Sequence, residues 1–189
     1  MARGFVDTNV LFPFSVMDPM LALTEDDVHE VIWTETLLRE WQRVIVREQR
    51  RSAASAAAIT AAIREFFADS EVREDSYRHL VAAMPGNDPD DHHHMAAALA
   101  GGARVIVTWN RDDLPAADLA ARGLEVIDPD RYLLRLLRRF PREITDTVIR
   151  LAGEKQHPPK TPGDLADDLR RAGLTHFWAH LERRLDRSR

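Results

Sequence analysis

Short apolar runs alternate along this chain with segments whose hydrophobic residues recur every three or four positions. Gly4 to Val6 reads as a buried strand that ends in the polar triplet Asp7-Thr8-Asn9, and a helix starts where Val10-Leu11-Phe12 follow. Val31-Ile32-Trp33 is a second β-prone run. Thr34 or Thr36 can cap the helix marked by Leu37, Leu38, Trp41, Val44 and Ile45. Ala53 to Phe67, rich in Ala and free of Gly and Pro, predicts a further helix, and Val72 a short strand. Asp88-Pro89-Asp90-Asp91 opens an Ala-rich helix that stops at Gly101-Gly102, with Pro just inside the start and Gly just past the end. Ala103 to Thr108 is the clearest strand. Pro115 to Arg122 predicts a short helix, Leu124 to Ile127 a strand, and Asp128-Pro129 the start of a helix through Leu137. Strands alternating with helices predict parallel pairing, hence the α/β class and a three-layer α/β/α sandwich with a central parallel sheet.

The segment His157-Pro158-Pro159-Lys160-Thr161-Pro162 interrupts helical pattern and marks the best internal boundary. Beyond it, Asp164 to Arg189 predicts two helices separated by Gly173, with Leu165, Leu169, Phe177 and Leu181 among the side chains available for burial. About 30 residues cannot form a stable domain alone. The expected division is an α/β domain over residues 1–140 and a helical C-terminal extension over 141–189, packed on that domain or on a partner.

Composition narrows the chemistry. The chain has 189 residues and no Cys, which excludes disulfides, thiolate metal sites and a thiol nucleophile. Any metal is left to oxygen or imidazole. Asp and Glu number 31 against 26 Lys and Arg, a net charge of −5, which argues against a uniformly basic, nucleic-acid-coating surface but not against local basic patches. Only Lys155 and Lys160 are lysine, so nearly all positive charge sits on planar guanidinium groups. No apolar run approaches the ~20 residues of a membrane helix, and the N-terminal residues lack a signal peptide's apolar core. A cytoplasmic location with no membrane partner is the expectation.

Several acids fall at strand ends or on apolar helix faces, where an unpaired charge is expensive. Asp7 directly follows a buried strand, at the carboxyl edge where α/β sheets gather ligands; capping the first helix is its alternative role. At about 100° per residue, Glu40 falls about 40° from Val44 and about 60° from Leu37, on the flank of the buried stripe, while Glu35 lies opposite. An intrahelical pair with Arg43 would also explain it. Asp91 precedes Met95 by four residues and so shares the inward stripe of its helix, whereas Asp88 and Asp90 suit the cap and the helix dipole. Thr108-Trp109-Asn110-Arg111-Asp112-Asp113 follows the best strand and reaches the same edge as Asp7 if the two strands are parallel; Asp112 or Asp113 can instead cap the Pro115 helix.

In these pieces, taken in order, the sequence resembles the PIN-domain ribonucleases and, within them, the VapC-like bacterial toxin components. The matching stretches are Phe5 to Leu11, Leu37 to Trp41, Asp88 to Ala100 and Ala103 to Pro115, and the likeness spans residues 3 to about 135. The resemblance implies a PIN-like fold with C-terminal helices and a metal-dependent endoribonuclease with Asp7, Glu40, Asp91 and a fourth acidic position as catalytic acids. Asn110 stands where many relatives have Asp. Asn keeps an oxygen but no charge, so either Asp113 supplies the fourth carboxylate or a second metal is held weakly, with Asp112 as a further candidate. Asp7, Asp91 and Asp113 are then the expected metal ligands. Oxygen donors of this kind suit Mg²⁺ or Mn²⁺ as cofactor. Thr8 and Thr108 are placed to orient water or a phosphate. The partners implied are an RNA substrate, a small antitoxin protein and a second copy in a homodimer. Asn110 equally motivates a non-catalytic PIN-like module that binds RNA or protein. A haloacid-dehalogenase-type phosphohydrolase would need Asp where Asn9 stands.

His92-His93-His94 does not read as a zinc motif, because consecutive helical residues diverge by about 100°, and the three are expected to face mostly solvent. Arg39, Arg43, Arg47, Arg50 and Arg51, with Arg135, Arg138 and Arg139, either grip an RNA backbone or form solvated helix faces.

Overall fold

The computed structural model describes residues 2–86, 88–156 and 158–186. In chain order these form β1 (Ala2–Val6), α1 (Thr8–Leu11), α2 (Phe14–Glu25), β2 (His29–Ile32), α3 (Glu35–Arg47), α4 (Ala53–Phe66), α5 (Glu74–Tyr77), α6 (Pro89–Ala100), β3 (Val105–Val107), α7 (Ala116–Ala121), β4 (Glu125–Ile127), α8 (Pro129–Arg139), α9 (Pro141–Glu154), α10 (Pro162–Arg171) and α11 (Thr175–Leu185), with 3₁₀ turns between some of them. The four strands make one parallel sheet in the order β2-β1-β3-β4.

Alternation along β1 builds the layers. Phe5 faces α6, its ring edge-on to His94 at 5.4 Å. Gly4 faces the other way, toward α8: a Cβ there would lie 3.1 Å from Val105 Cγ2 and 3.3 Å from the Tyr132 hydroxyl, so only glycine lets Tyr132 rest against the strand. Helices thus cover both faces of a sheet whose central strands are apolar from Gly4 to Val6 and from Val105 to Val107, as a covered parallel sheet demands. The result is the three-layer α/β/α sandwich.

On the α8 face, His29 is fully buried. Its Nε2 lies 2.8 Å from the Met20 carbonyl, which can only accept, so Nε2 carries the proton and Nδ1 accepts from the Tyr132 hydroxyl at 2.9 Å. Desolvation pushes the imidazole down from 6.5 to about 4, and the bond to Met20 opposes this only in part. A neutral imidazole therefore links α2, β2 and α8.

The C-terminal helices dock on this face as well. Asp130, buried in the first turn of α8, accepts from the backbone N–H of His176 at 3.0 Å and of Phe177 at 2.7 Å, and from His176 Nδ1 at 2.7 Å. A carboxylate of one helix so caps the next across about 45 residues of chain, satisfying donors that α11 cannot satisfy itself. Thr147 of α9 donates to Asp26 at the end of α2, and Arg150 pairs with the same carboxylate at 3.0 Å. Lys155 and Lys160 are bound to Asp18 and Asp168.

Several local expectations change. Thr34, not Thr36, caps α3, accepting from Leu37 N at 3.0 Å. The strand expected at Val72 is a single bridge, Trp33 to Glu71, because the chain turns at once into α5. Helix α2 includes Pro19, whose missing N–H and fixed φ hid it from a periodicity reading. Neither Asp112 nor Asp113 caps α7, which has no side-chain cap. Within the boundary segment, His157 lies outside the described residues; α10 begins at Pro162, with a reciprocal capping box between Thr161 and Asp164.

Two stability predictions follow from these buried groups. Between pH 6.5 and about 4 only the unfolded chain protonates His29, so folding stability falls with pH across that window, by up to about 3 kcal/mol. Denaturant titrations at several pH values should show a shallower acid loss for His29→Gln than for the unsubstituted chain. Asp130→Ala strands two amide donors at a buried helix end and should cost about 2–4 kcal/mol, Asp130→Asn less, by the same measurement.

Candidate active site

Strands β1 and β3 end level with one another: Val6 pairs with Val107, and Asp7 N donates to the Val107 carbonyl at 3.0 Å. Asp7 therefore leaves the sheet beside Thr108. Its side chain does cap α1, accepting from Asn9 N, and the same carboxylate is fixed from several sides. Oδ2 accepts from Asn9 Nδ2 and from the Thr108 hydroxyl, both at 2.7 Å. The Thr108 oxygen in turn accepts from Asn9 Nδ2 at 3.0 Å and from Asn110 N at 3.1 Å, while Asn9 Oδ1 accepts from Trp109 N at 3.2 Å. The bonds from Thr108 to Asp7, from Asn9 to Thr108 and from Trp109 to Asn9 join the turn after β1 to the turn after β3.

Thr8, buried behind Asp7, shares its one proton between Glu40 Oε1 at 2.8 Å and Asp7 Oδ1 at 3.1 Å. Glu40 Oε2 faces His94 Nε2 at 3.0 Å. The hydrogen bond to His94 holds Glu40 below the usual carboxylate range against the cost of its burial, with Thr8 and Arg43 adding to the effect. Burial works against protonation of His94, but the Glu40 bond and the charges of Glu40, Asp7 and Asp91 outweigh it and raise its pKa. The expectation that His92, His93 and His94 face solvent fails for His94, whose side chain is only 16% exposed. It falls three residues after Asp91 and one before Met95, on the inward stripe of α6.

Two cavities meet at this edge. The larger, about 500 Å³, is lined by Asp7, Asp88, Asp91, Thr108, Asn110, Asp112 and Asp113. The second, about 350 Å³, shares Asp7 and Asp91 with the first and adds Glu40 and His94. The fold thus brings Asp7, Asp91, Asp113, Asp112, Asn110 and Thr108 to one cavity and Glu40 to its neighbour, while Thr8 lines neither. Among the described residues, none of the five aspartates has an Arg or Lys within ion-pair distance. Asp91 carries the consequence: desolvation and the charges of Asp88, Asp7 and Asp113 raise its pKa, His94 opposing. Asp112 and Asp113 both line the cavity, and the charge of Asp113 is among those that bear on Asp91.

Unpaired carboxylates around a polar cavity suit a hard divalent cation in donor type. Among the described residues no three His, Asp or Glu side chains converge as a ready-made ligand cluster. An ion such as Mg²⁺ keeps several waters and takes only one or two carboxylates, so it needs no closed cage. The carboxylates lining the cavity fit such an ion by donor chemistry.

Residues 3–112, more than half of the chain, match the PIN domain family model, and the chain belongs to that family, whose members are generally nucleases. Residues 129–183 match the VapC50 C-terminal domain, so a VapC-family module, beginning within α8, completes the described fold. No curated protein and no solved structure matches the chain.

Asn9, Asp88 and His94 are the site residues that motif reading passed over. Asn9 and Asp88 read as capping or turn residues, and Asp88 does cap α6 through Asp90 N at 2.9 Å while also lining the cavity. For His94 the signal was its place on the same helical stripe as Asp91. Because the ionised Asp91 is repelled in the folded state, Asp91→Asn should raise the thermal midpoint of the metal-free protein at neutral pH. Added Mg²⁺ or Mn²⁺ should raise the midpoint of the unsubstituted chain and raise that of the variant far less.

Proposed function

We propose that this protein is a Mg²⁺- or Mn²⁺-dependent endoribonuclease acting in the cytoplasm, and the toxin half of a toxin–antitoxin pair that a small antitoxin protein restrains. The observation that carries this reading is the set of aspartates from three separate segments facing one cavity, with no Arg or Lys among its described lining residues. Membership of the PIN family and the VapC-family C-terminal domain support it, and among the described residues no helix is long and apolar enough to cross a membrane.

Asp7, Asp91 and Asp113 are the carboxylates from which the ion would draw its one or two direct protein ligands, the others bonding to its waters. When bound, it supplies the positive charge that lets an anionic phosphodiester approach these acids and that eases deprotonation of the attacking water. The chain's own residues do the rest. Thr108 and Asn9 hold Asp7 in one orientation at the edge of the cavity. Glu40 is kept ionised by His94, and each of its oxygens retains a lone pair beyond its present bond, which suits it to accept a proton from water beside Asp7.

Purified protein should cut single-stranded RNA only with Mg²⁺ or Mn²⁺, chelation should abolish cutting, and Asp7→Asn or Asp91→Asn should lower the rate by about 100-fold or more. Undiminished cleavage by both variants would overturn the proposal. Asn110, neutral at an often acidic position, supports the second reading, a non-catalytic module that binds RNA or protein. Tight RNA binding with no heat on calorimetric titration with Mn²⁺ would establish that reading instead.

A further inference from the structure

The many arginines of this chain are not equivalent once their surroundings are compared. Arg39 and Arg64 share Glu35, Arg135 is held by both oxygens of Glu125 at 2.7 Å, and Arg131 is drawn to Asp128. Arg50 and Arg51 lie over the rings of Phe12 and Phe14. Arg43 is different: among the described residues it makes no hydrogen bond or ion pair, and it feels only the charge of Glu40. Arg47 touches Glu48 alone, in a pair left largely in water and therefore weak.

These two arginines line the smaller cavity, the cleft between α3 and α6. They stand on the α3 face that bears Glu40, three and seven residues further on, which places them about 4.5 Å and about 10.5 Å along the helix axis from it. His93 and Asp90 form the opposite wall, and Asp7 and Asp91 close the end that the cleft shares with the acidic cavity. Of the described residues lining either cavity, Arg43 and Arg47 are the only Lys or Arg. An RNA strand at the aspartates must continue somewhere. The acidic cavity repels its further phosphates, whereas this cleft presents two guanidinium forks suited to phosphate oxygens.

We propose that the cleft between α3 and α6 is a backbone subsite of the RNA, in which Arg43 and Arg47 bind the phosphate that adjoins the cleaved one. This rests on the ribonuclease reading above and adds the path of the strand: across the ridge of Asp7 and Asp91, from the larger cavity, which holds no Arg or Lys, into the cleft whose α3 wall carries Arg43 and Arg47 beyond Glu40. It also gives the two halves of the site separate tasks, ion binding on one side and phosphate binding on the other.

The test is fluorescence anisotropy with a labelled, non-cleavable 2′-O-methyl single-stranded RNA at several salt concentrations. Arg43→Ala combined with Arg47→Ala should raise Kd about tenfold and make the plot of log affinity against log salt shallower by about 0.7, the share of the one lost phosphate contact. Arg43→Lys with Arg47→Lys should keep the original slope, and Arg138→Ala should bind as the unsubstituted chain does. Both arginines are exposed, so the thermal midpoint and its shift on adding Mn²⁺ should not change. If the unsubstituted chain binds RNA and the double Ala variant matches it in affinity and slope, the subsite is refuted while the ribonuclease reading stands. If the unsubstituted chain neither binds nor cuts RNA, the ribonuclease reading fails and the subsite falls with it.

Discussion

Because β1 and β3 pair in parallel with Val6 opposite Val107, Asp7 and Thr108 leave the sheet side by side, and the remainder of the site is arranged around their contact. A shift of one residue in this register would point both side chains to the wrong face. The hydrogen bonds from Thr108 to Asp7, from Asn9 to Thr108 and from the Trp109 amide to Asn9 cross between the two strand ends, so they hold the register as well as the carboxylate. Covering both sheet faces with helices keeps the strands apolar and leaves their carboxyl ends as the place where polar groups collect.

Charge at this edge is handled in two ways. Glu40 is paired with His94 and bonded to Thr8, so its burial is compensated within the protein. The aspartates of the larger cavity have no Arg or Lys beside them, and burial together with the neighbouring acids makes Asp91 resist ionisation. Local stability is given up there, as is common where a fold keeps a binding site ready.

The C-terminal helices are tied to the site through Trp109. Gly173, between α10 and α11, adopts φ +99°, and a Cβ there would approach Trp109 Cη2 to 3.1 Å. The backbone N–H of the same Trp109 is bound to Asn9. Asp130 fixes α11 against α8, so the turn that carries Asn110, Asp112 and Asp113 has the helical extension as its backing. A residue that looks like ordinary helix punctuation in the sequence thereby makes room for a side chain next to the acids.

The alternation of strand and helix, the parallel sheet, the Asp88-Pro89 helix start and the apolar stripes of α3 and α6 were legible in the chain, since each depends on local periodicity and on the geometry of Pro and Gly. The same local reasoning brought Asp7, Glu40, Asp91 and the turn after Thr108 forward as candidates, because a carboxylate beside apolar neighbours is conspicuous without any structure. It could not find α2, where Pro19 breaks the expected pattern, nor the inward position of His94 within three consecutive histidines. It also could not divide the arginines, because their fate depends on which acid or ring another segment sets beside them. Sequence by itself therefore determined which elements form and which residue types stand at their ends. Tertiary structure decided which charges are paired and which remain free, since pairing is settled by contacts between residues as distant as Glu40 and His94, or Asp7 and Thr108.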